Sequence, residues 1–261
     1  MLRPVLLLLS LAAAVQAETF PFVETASGFL VGAAGDGKWL PVEKAKGTVK
    51  GGEQYRVYSL TEKLGVAKGS KPKSADEPCP DQQIVTLTPK PPEGAIAVAA
   101  PWNAMPRVPK KQDTTQPVYQ KAVADFLISK KIHDPKVHIT QIVRIDIDGD
   151  GEDEVLISAT NYFTKDGRVP HASPANSYSF VLLRRVVGGK VETMLVDGEF
   201  YTKSAEFNAP NEYHIAGVLD LDGDGKMEVI VESSYYEGGG MAVYRVTGKK
   251  AEQLVIVGCG A

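Results

Sequence analysis

What most limits the folds open to this chain is an acidic turn that occurs twice. Residues 146–154 read DIDGDGEDE and residues 220–228 read DLDGDGKME, with the first aspartates 74 residues apart. Each turn lies between short apolar runs of strand type, IVRI and VLIS around the first, GVL and VIV around the second. Three carboxylates alternating along so tight a turn repel one another and raise each other's pKa. A hard divalent cation removes that conflict. Calcium takes about six to eight oxygens at ~2.3–2.6 Å, and glycine allows the sharp turn that wraps them round it. Positions 1, 3 and 5 of such a loop supply carboxylates and position 7 supplies a backbone carbonyl. The expected ligands are Asp146, Asp148, Asp150 and the carbonyl of Glu152 in the first turn, and Asp220, Asp222, Asp224 and the carbonyl of Lys226 in the second. Magnesium, which keeps its waters, suits the pattern less well.

An EF-hand places an acid at position 12. Here position 12 is Ile157 or Val231, and the acid falls at position 9, as Glu154 or Glu228. Strand-like flanks put the turn in a β-hairpin rather than between helices. Asp-Gly by itself marks a hairpin, but a plain turn does not require three spaced aspartates and a glutamate at equivalent places twice. The likeness continues past the turns: EVLISATNY (154–162) matches EVIVESSYY (228–236), and residues 179–198 resemble 240–260. Each copy reads as strand, acidic turn, strand, loop, strand, Gly turn, strand, which is an internal repeat of one four-stranded unit. The first copy spans 137–198 and carries an insertion after Tyr162; the second spans 211–261.

Strand, D-x-D-G-D-G-x-x-E, then a short apolar strand resembles the calcium motif of FG-GAP or VCBS-type repeats, as found in integrin-like β-propeller blades. The resemblance covers roughly residues 137–261. It implies two Ca²⁺ ions, one held by Asp146, Asp148, Asp150 and Glu154 and one by Asp220, Asp222, Asp224 and Glu228, and it implies four-stranded blades. A propeller ring takes about four to eight blades. With two copies here, either the N-terminal region supplies motif-free blades or the two units pack in another way.

The expected fold is mainly β: two four-stranded propeller-blade-like repeats, an N-terminal β-rich region and one helix. Residues 1–17 read as a secretory signal peptide, with Arg3, the apolar run from Val5 to Val15 and a small-residue site at Val15-Gln16-Ala17. That run is too short to span a bilayer and no comparable one follows. The expected location is therefore outside the cell or in the periplasm. Short apolar runs separated by Gly and Pro turns make 18–100 β-rich, without an interpretable motif. Residues 101–117, with four prolines, read as a linker. Residues 118–132 read as the helix, with Tyr119, Ala122, Val123, Phe126 and Leu127 on one face and Pro117 at its start.

The formal net charge of −3 argues against general nucleic-acid binding, which usually shows a basic patch or stripe. Two cysteines, Cys79 and Cys259, in an exported chain suggest one disulfide; the alternative is two unpaired thiols. The four histidines lack zinc spacing, no G-x-S-x-G elbow is present, and GVAKGSKPK (65–73) lacks the ending of a phosphate loop. Tyr235 and Tyr236, and Tyr162 and Phe163 at nearly the same place in the first copy, are candidate recognition-loop residues for a protein or carbohydrate partner, against local packing at a strand end. The leading expectation is an exported, non-enzymatic calcium-binding module for binding or structure. The alternatives are a secreted hydrolase with an unreadable site, since carboxylate pairs assemble in space without a sequence signature, and a purely structural envelope component.

Overall fold

The computed structural model describes residues 18–162 and 167–260. The fold is mainly β, and every strand pairing is antiparallel. Residues 1–17, expected to be a signal peptide, lie outside the described residues.

The N-terminal sheet contains β1 (Phe20–Glu24), β2 (Leu30–Gly35), β3 (Lys38–Leu40), β4 (Gln54–Tyr58), β5 (Lys63–Gly69), β8 (Leu87–Thr88) and β9 (Ile96–Val98), in the order β3-β2-β1-β9-β4-β5-β8. A two-stranded ribbon, β6 (Lys73–Ser74) and β7 (Gln83–Ile84), stands beside it, and one short helix, α1 (Val42–Ala45), follows β3. The second sheet is β10 (Lys110–Lys111), β11 (Ile139–Ile145), β12 (Glu154–Thr160), β13 (Ser177–Val187) and β14 (Lys190–Tyr201), in sequence order. The third is β15 (Glu212–Leu219), β16 (Glu228–Tyr235), β17 (Gly238–Thr247) and β18 (Lys250–Gly260), also in sequence order. Both repeats are thus four-stranded meanders, the first extended by β10.

The sheets stack in a different order from the sequence. One face of the third sheet (Leu219, Ile230, Val243, Val257) packs on Phe22, Val31 and Val98 of the N-terminal sheet. Its other face (Val218, Val229, Val231, Tyr244) packs on Val143, Leu156, Val181 and Leu183 of the second sheet. The C-terminal repeat is therefore the middle layer. Two-sided burial explains why EVIV and EVLI are continuous apolar runs rather than alternating ones. The outer face of the second sheet (Ile142, Ile157, Phe180, Leu182) is covered by the long helix α2 (Pro117–Ser129), and that of the N-terminal sheet by α1 and neighbouring residues such as Val49 and Val85. Helix and loop cover thus end the stack on both sides, and among the described residues no ring of blades closes.

Helix α2 buries Val123 and Leu127, with Tyr119 and Phe126 half-buried beside them. It stops at Ser129, short of the expected 132, because Lys131 turns left-handed (φ 65°). The Lys131 and Ile132 N–H groups then donate to the carbonyls of Ile128 and Leu127, closing a Schellman motif with Ile132 buried against the same core. No glycine marks this stop in the sequence.

The segment expected to be a linker is packed. Ala104 and Met105 are buried between the N-terminal and third sheets, and β10 pairs with β11. Across the other interface, Gln141 Oε1 accepts from the Ile215 N–H (2.7 Å) and from Ser158 Oγ (2.9 Å), while its Nε2 donates to the Ile215 carbonyl (3.1 Å). Gln141 thus completes the edge of β15 as a neighbouring strand would. Gln141→Ala leaves two β15 backbone groups unpaired and is expected to cost about 1–3 kcal/mol in denaturant unfolding; an unchanged midpoint would refute this role.

Candidate metal centre

Each acidic turn closes a hairpin, β11–β12 after the pair Ile145–Glu154 and β15–β16 after the pair Leu219–Glu228. The apolar residue at position 2, Ile147 or Leu221, is buried and anchors the turn to the core. With that anchor fixed, local hydrogen bonds shape the rest identically in both copies. Asp146 accepts from the N–H groups of Gly149 (2.7 Å) and Gly151 (3.2 Å), as Asp220 does from Gly223 (2.7 Å) and Gly225 (3.2 Å). Asp148 and Asp222 accept from the N–H two residues on, at 3.3 Å each. Asp150 accepts from Glu152 N–H (2.8 Å) and Asp224 from Lys226 N–H (2.7 Å). The glycines at positions 4 and 6 all have φ between 80° and 93°, a region side-chain-bearing residues rarely enter.

This wrapping turns the carboxylates toward one another. Asp146, Asp148 and Asp150 offer oxygens all within 4.8 Å of each other, and so do Asp220, Asp222 and Asp224. Two ligands on one calcium ion lie at most about 5 Å apart, twice the Ca–O distance. Each triplet therefore fits a single ion of that size. Glu154 and Glu228 fall outside the triplets. Glu154 Oε2 accepts from Ile147 N–H (2.8 Å) and Glu228 Oε2 from Leu221 N–H (3.0 Å), which ties position 9 to position 2.

The two turns differ in surroundings. Asp148 and Asp150 are exposed, whereas Asp220 and Asp222 are buried. Arg245, a residue the motif reading did not flag, reaches Asp222 Oδ2 (2.5 Å) and Glu228 Oε1 (3.7 Å) and lies over the Trp39 ring. Burial first, then the neighbouring Asp222 charge, pushes the Glu228 carboxyl up to about 8. Burial likewise raises Asp220 and Asp222, against backbone donors to the former and Arg245 beside the latter. Glu154 is raised mainly by burial.

The packed segment after β9 laces the turns together. Trp102 Nε1 donates to the Asp220 carbonyl (2.9 Å), and the Ala104 carbonyl accepts from Asp220 N–H (2.8 Å). Arg107 donates to the carbonyls of Asp146 (2.5 Å), Ile147 (2.9 Å) and, across to the second turn, Gly225 (2.8 Å). No local pattern marks Arg107 or Trp102 in the sequence.

The remaining candidates are placed as follows. Cys79 and Cys259 form a disulfide with Cα atoms 5.7 Å apart. Tyr162 is buried, its hydroxyl donating to the Asn211 carbonyl, so it presents no ring to a partner. Packing decided this, because the hydroxyl finds an internal acceptor on the strand-connecting loop. Phe163 lies outside the described residues. Tyr235 ends β16 half-buried, and β17 begins at Gly238, leaving only Tyr236 and Glu237 between the two strands. Tyr236 is exposed and packs edge-on against Tyr235 (5.7 Å) and Phe207 (5.8 Å), with His171 at 6.3 Å. Phe207, 65 % exposed, was not singled out by the sequence pattern.

No helix of the described residues is long and apolar enough to cross a membrane. Comparison with protein-family models, with characterised proteins and with solved structures finds no match to this chain.

Proposed function

We propose that this is an exported, non-enzymatic β-repeat protein of the FG-GAP/VCBS type, in which each acidic hairpin turn holds one structural calcium ion. The observation that carries this reading is the twice-repeated triplet of aspartate oxygens within 4.8 Å, built by one hydrogen-bond scheme. Asp146, Asp148 and Asp150 hold one ion and Asp220, Asp222 and Asp224 the other, with the Glu152 and Lys226 carbonyls completing the loops and Glu154 and Glu228 fixing them from behind. The ion supplies charge neutralisation: it cancels the repulsion within each turn and stiffens the hairpin. The exposed ring cluster of Tyr236 and Phe207 favours a surface role toward a protein or carbohydrate over an internal catalytic site.

Calorimetric titration is expected to find two Ca²⁺ per chain, with Kd down to the extracellular range of about 10⁻⁴–10⁻³ M. The double variant Asp148→Asn, Asp150→Asn removes two exposed charges but keeps both local acceptors, and is expected to leave one ion. No uptake at millimolar calcium by the unmodified chain rules the proposal out.

A further inference from the structure

We infer that the two turns bind their cations cooperatively, with Arg107 and the hydrogen bond between Ile147 and Met227 as the coupling. The inference rests on the calcium reading above and adds a regulation to it. The Met227 N–H donates to the Ile147 carbonyl at 2.9 Å. That N–H belongs to the same planar peptide unit as the Lys226 carbonyl, the position-7 ligand of the second turn. Backbone of the first turn therefore aims a ligand of the second. Ile147 is itself fixed from within its own turn, because its N–H donates to Glu154 Oε2 at 2.8 Å.

Arg107 supplies the parallel link. Its guanidinium donates to Asp146 and Ile147 carbonyls on one side and to Gly225 on the other, so it grips the peptide next to Lys226 as well as the first two positions of the first turn. It also lies against the first turn's position-4 glycine: a Cβ on Gly149 would sit 3.3 Å from its Nη1. An ion that orders either turn thus fixes the atoms that the other must fix to bind. The ordering entropy is spent once, and the second ion binds the more tightly. By linkage the effect is equal in both directions.

Terbium, a luminescent stand-in for calcium, reads the second site through the tryptophans beside it. Both tryptophans of the chain border the second turn: a Cβ on Gly223 would lie 3.1 Å from Trp102, and Trp39 lies under Arg245, which pairs with Asp222. Tryptophan-sensitised terbium emission is therefore titrated in the full chain and in the Asp148→Asn, Asp150→Asn variant. Silencing the first turn is expected to raise the terbium midpoint of the second by at least about fivefold, the lower end of ordinary coupling. In an Arg107→Gln background the same two substitutions are expected to produce a smaller shift. A merely structural Arg107 would lower the melting temperature and leave the shift intact.

An unshifted midpoint on silencing the first turn overturns the coupling, whatever the fate of the Arg107 variant. Absence of both terbium emission and calcium uptake in the unmodified chain is a different result, and it removes the calcium reading and the coupling together.

Discussion

Replacing Cys79 and Cys259 with serine is expected to cost about 3–5 kcal/mol of unfolding free energy, because their bond closes a loop with a sequence separation of 180 residues. The bridge ties the loop between β6 and β7 to the last strand of the third sheet, which makes it the covalent link between the outer N-terminal layer and the central one. Its neighbourhood is poor in side chains: Gly258 and Gly260 flank Cys259, and Gly238–Gly240 pair opposite. These glycines let β17 and β18 pass close to the Tyr235 ring, but they add little buried apolar surface to hold β18 in place. Denaturant unfolding of the oxidised chain against the double serine variant measures the cost. Hydrogen exchange is expected to show the C-terminal half of β18 opening first in the variant. A loss below about 1 kcal/mol would mean that the sheet interfaces alone hold the termini.

Calcium at a hundredfold excess over Kd is expected to add about 2.7 kcal/mol per site, or twice that for two sites, and to flatten a pH dependence that the chelated protein shows. Glu228 is buried, with its carboxyl pushed up to about 8 by burial and then by Asp222. The unfolded value is near 4.5. The folded state therefore binds more protons than the unfolded one between these values, and stability falls as pH rises from about 4.5 to 8. A shift of that size corresponds to a few kcal/mol. His214, raised on balance by Glu232 despite its burial, contributes with the same sign above its unfolded value of 6.5. Glu228→Gln keeps an acceptor for Leu221 N–H and isolates the carboxylate from the histidine. Melting temperatures taken from pH 5 to 8 in chelator are expected to decline for the unmodified chain and to decline less for Glu228→Gln. In calcium the unmodified chain is expected to hold level, since the cation favours the ionised carboxylates. A rise in melting temperature with pH in chelator would contradict the burial of Glu228.

The two acidic turns were legible because everything that shapes them is local. Their hydrogen bonds span two, three, five or seven residues, and their glycines adopt positive φ where the spacing D-x-D-G-D-G puts them. The face of α2 was legible for the same reason, from periodicity, while its stop at Lys131 was not, since a lysine carries no signal for a left-handed residue. Parity and compartment pointed to the cysteine pair. Tyr162 misled because a tyrosine after a strand reads the same whether its ring is outside or its hydroxyl is bound to a distant carbonyl.

By itself the sequence determined the repeat, the hairpins and the clustering of carboxylates in each turn. Only the tertiary structure decided that the C-terminal repeat lies between the other two sheets, that Asp220 and Asp222 of the second turn are buried while Asp148 and Asp150 of the first are exposed, and that Arg107 joins the turns. The physical reason is separation along the chain. The bonds within a turn close inside nine residues, whereas Arg107 and Trp102 reach acceptors as far as 118 residues away, set by which apolar faces were left to cover one another.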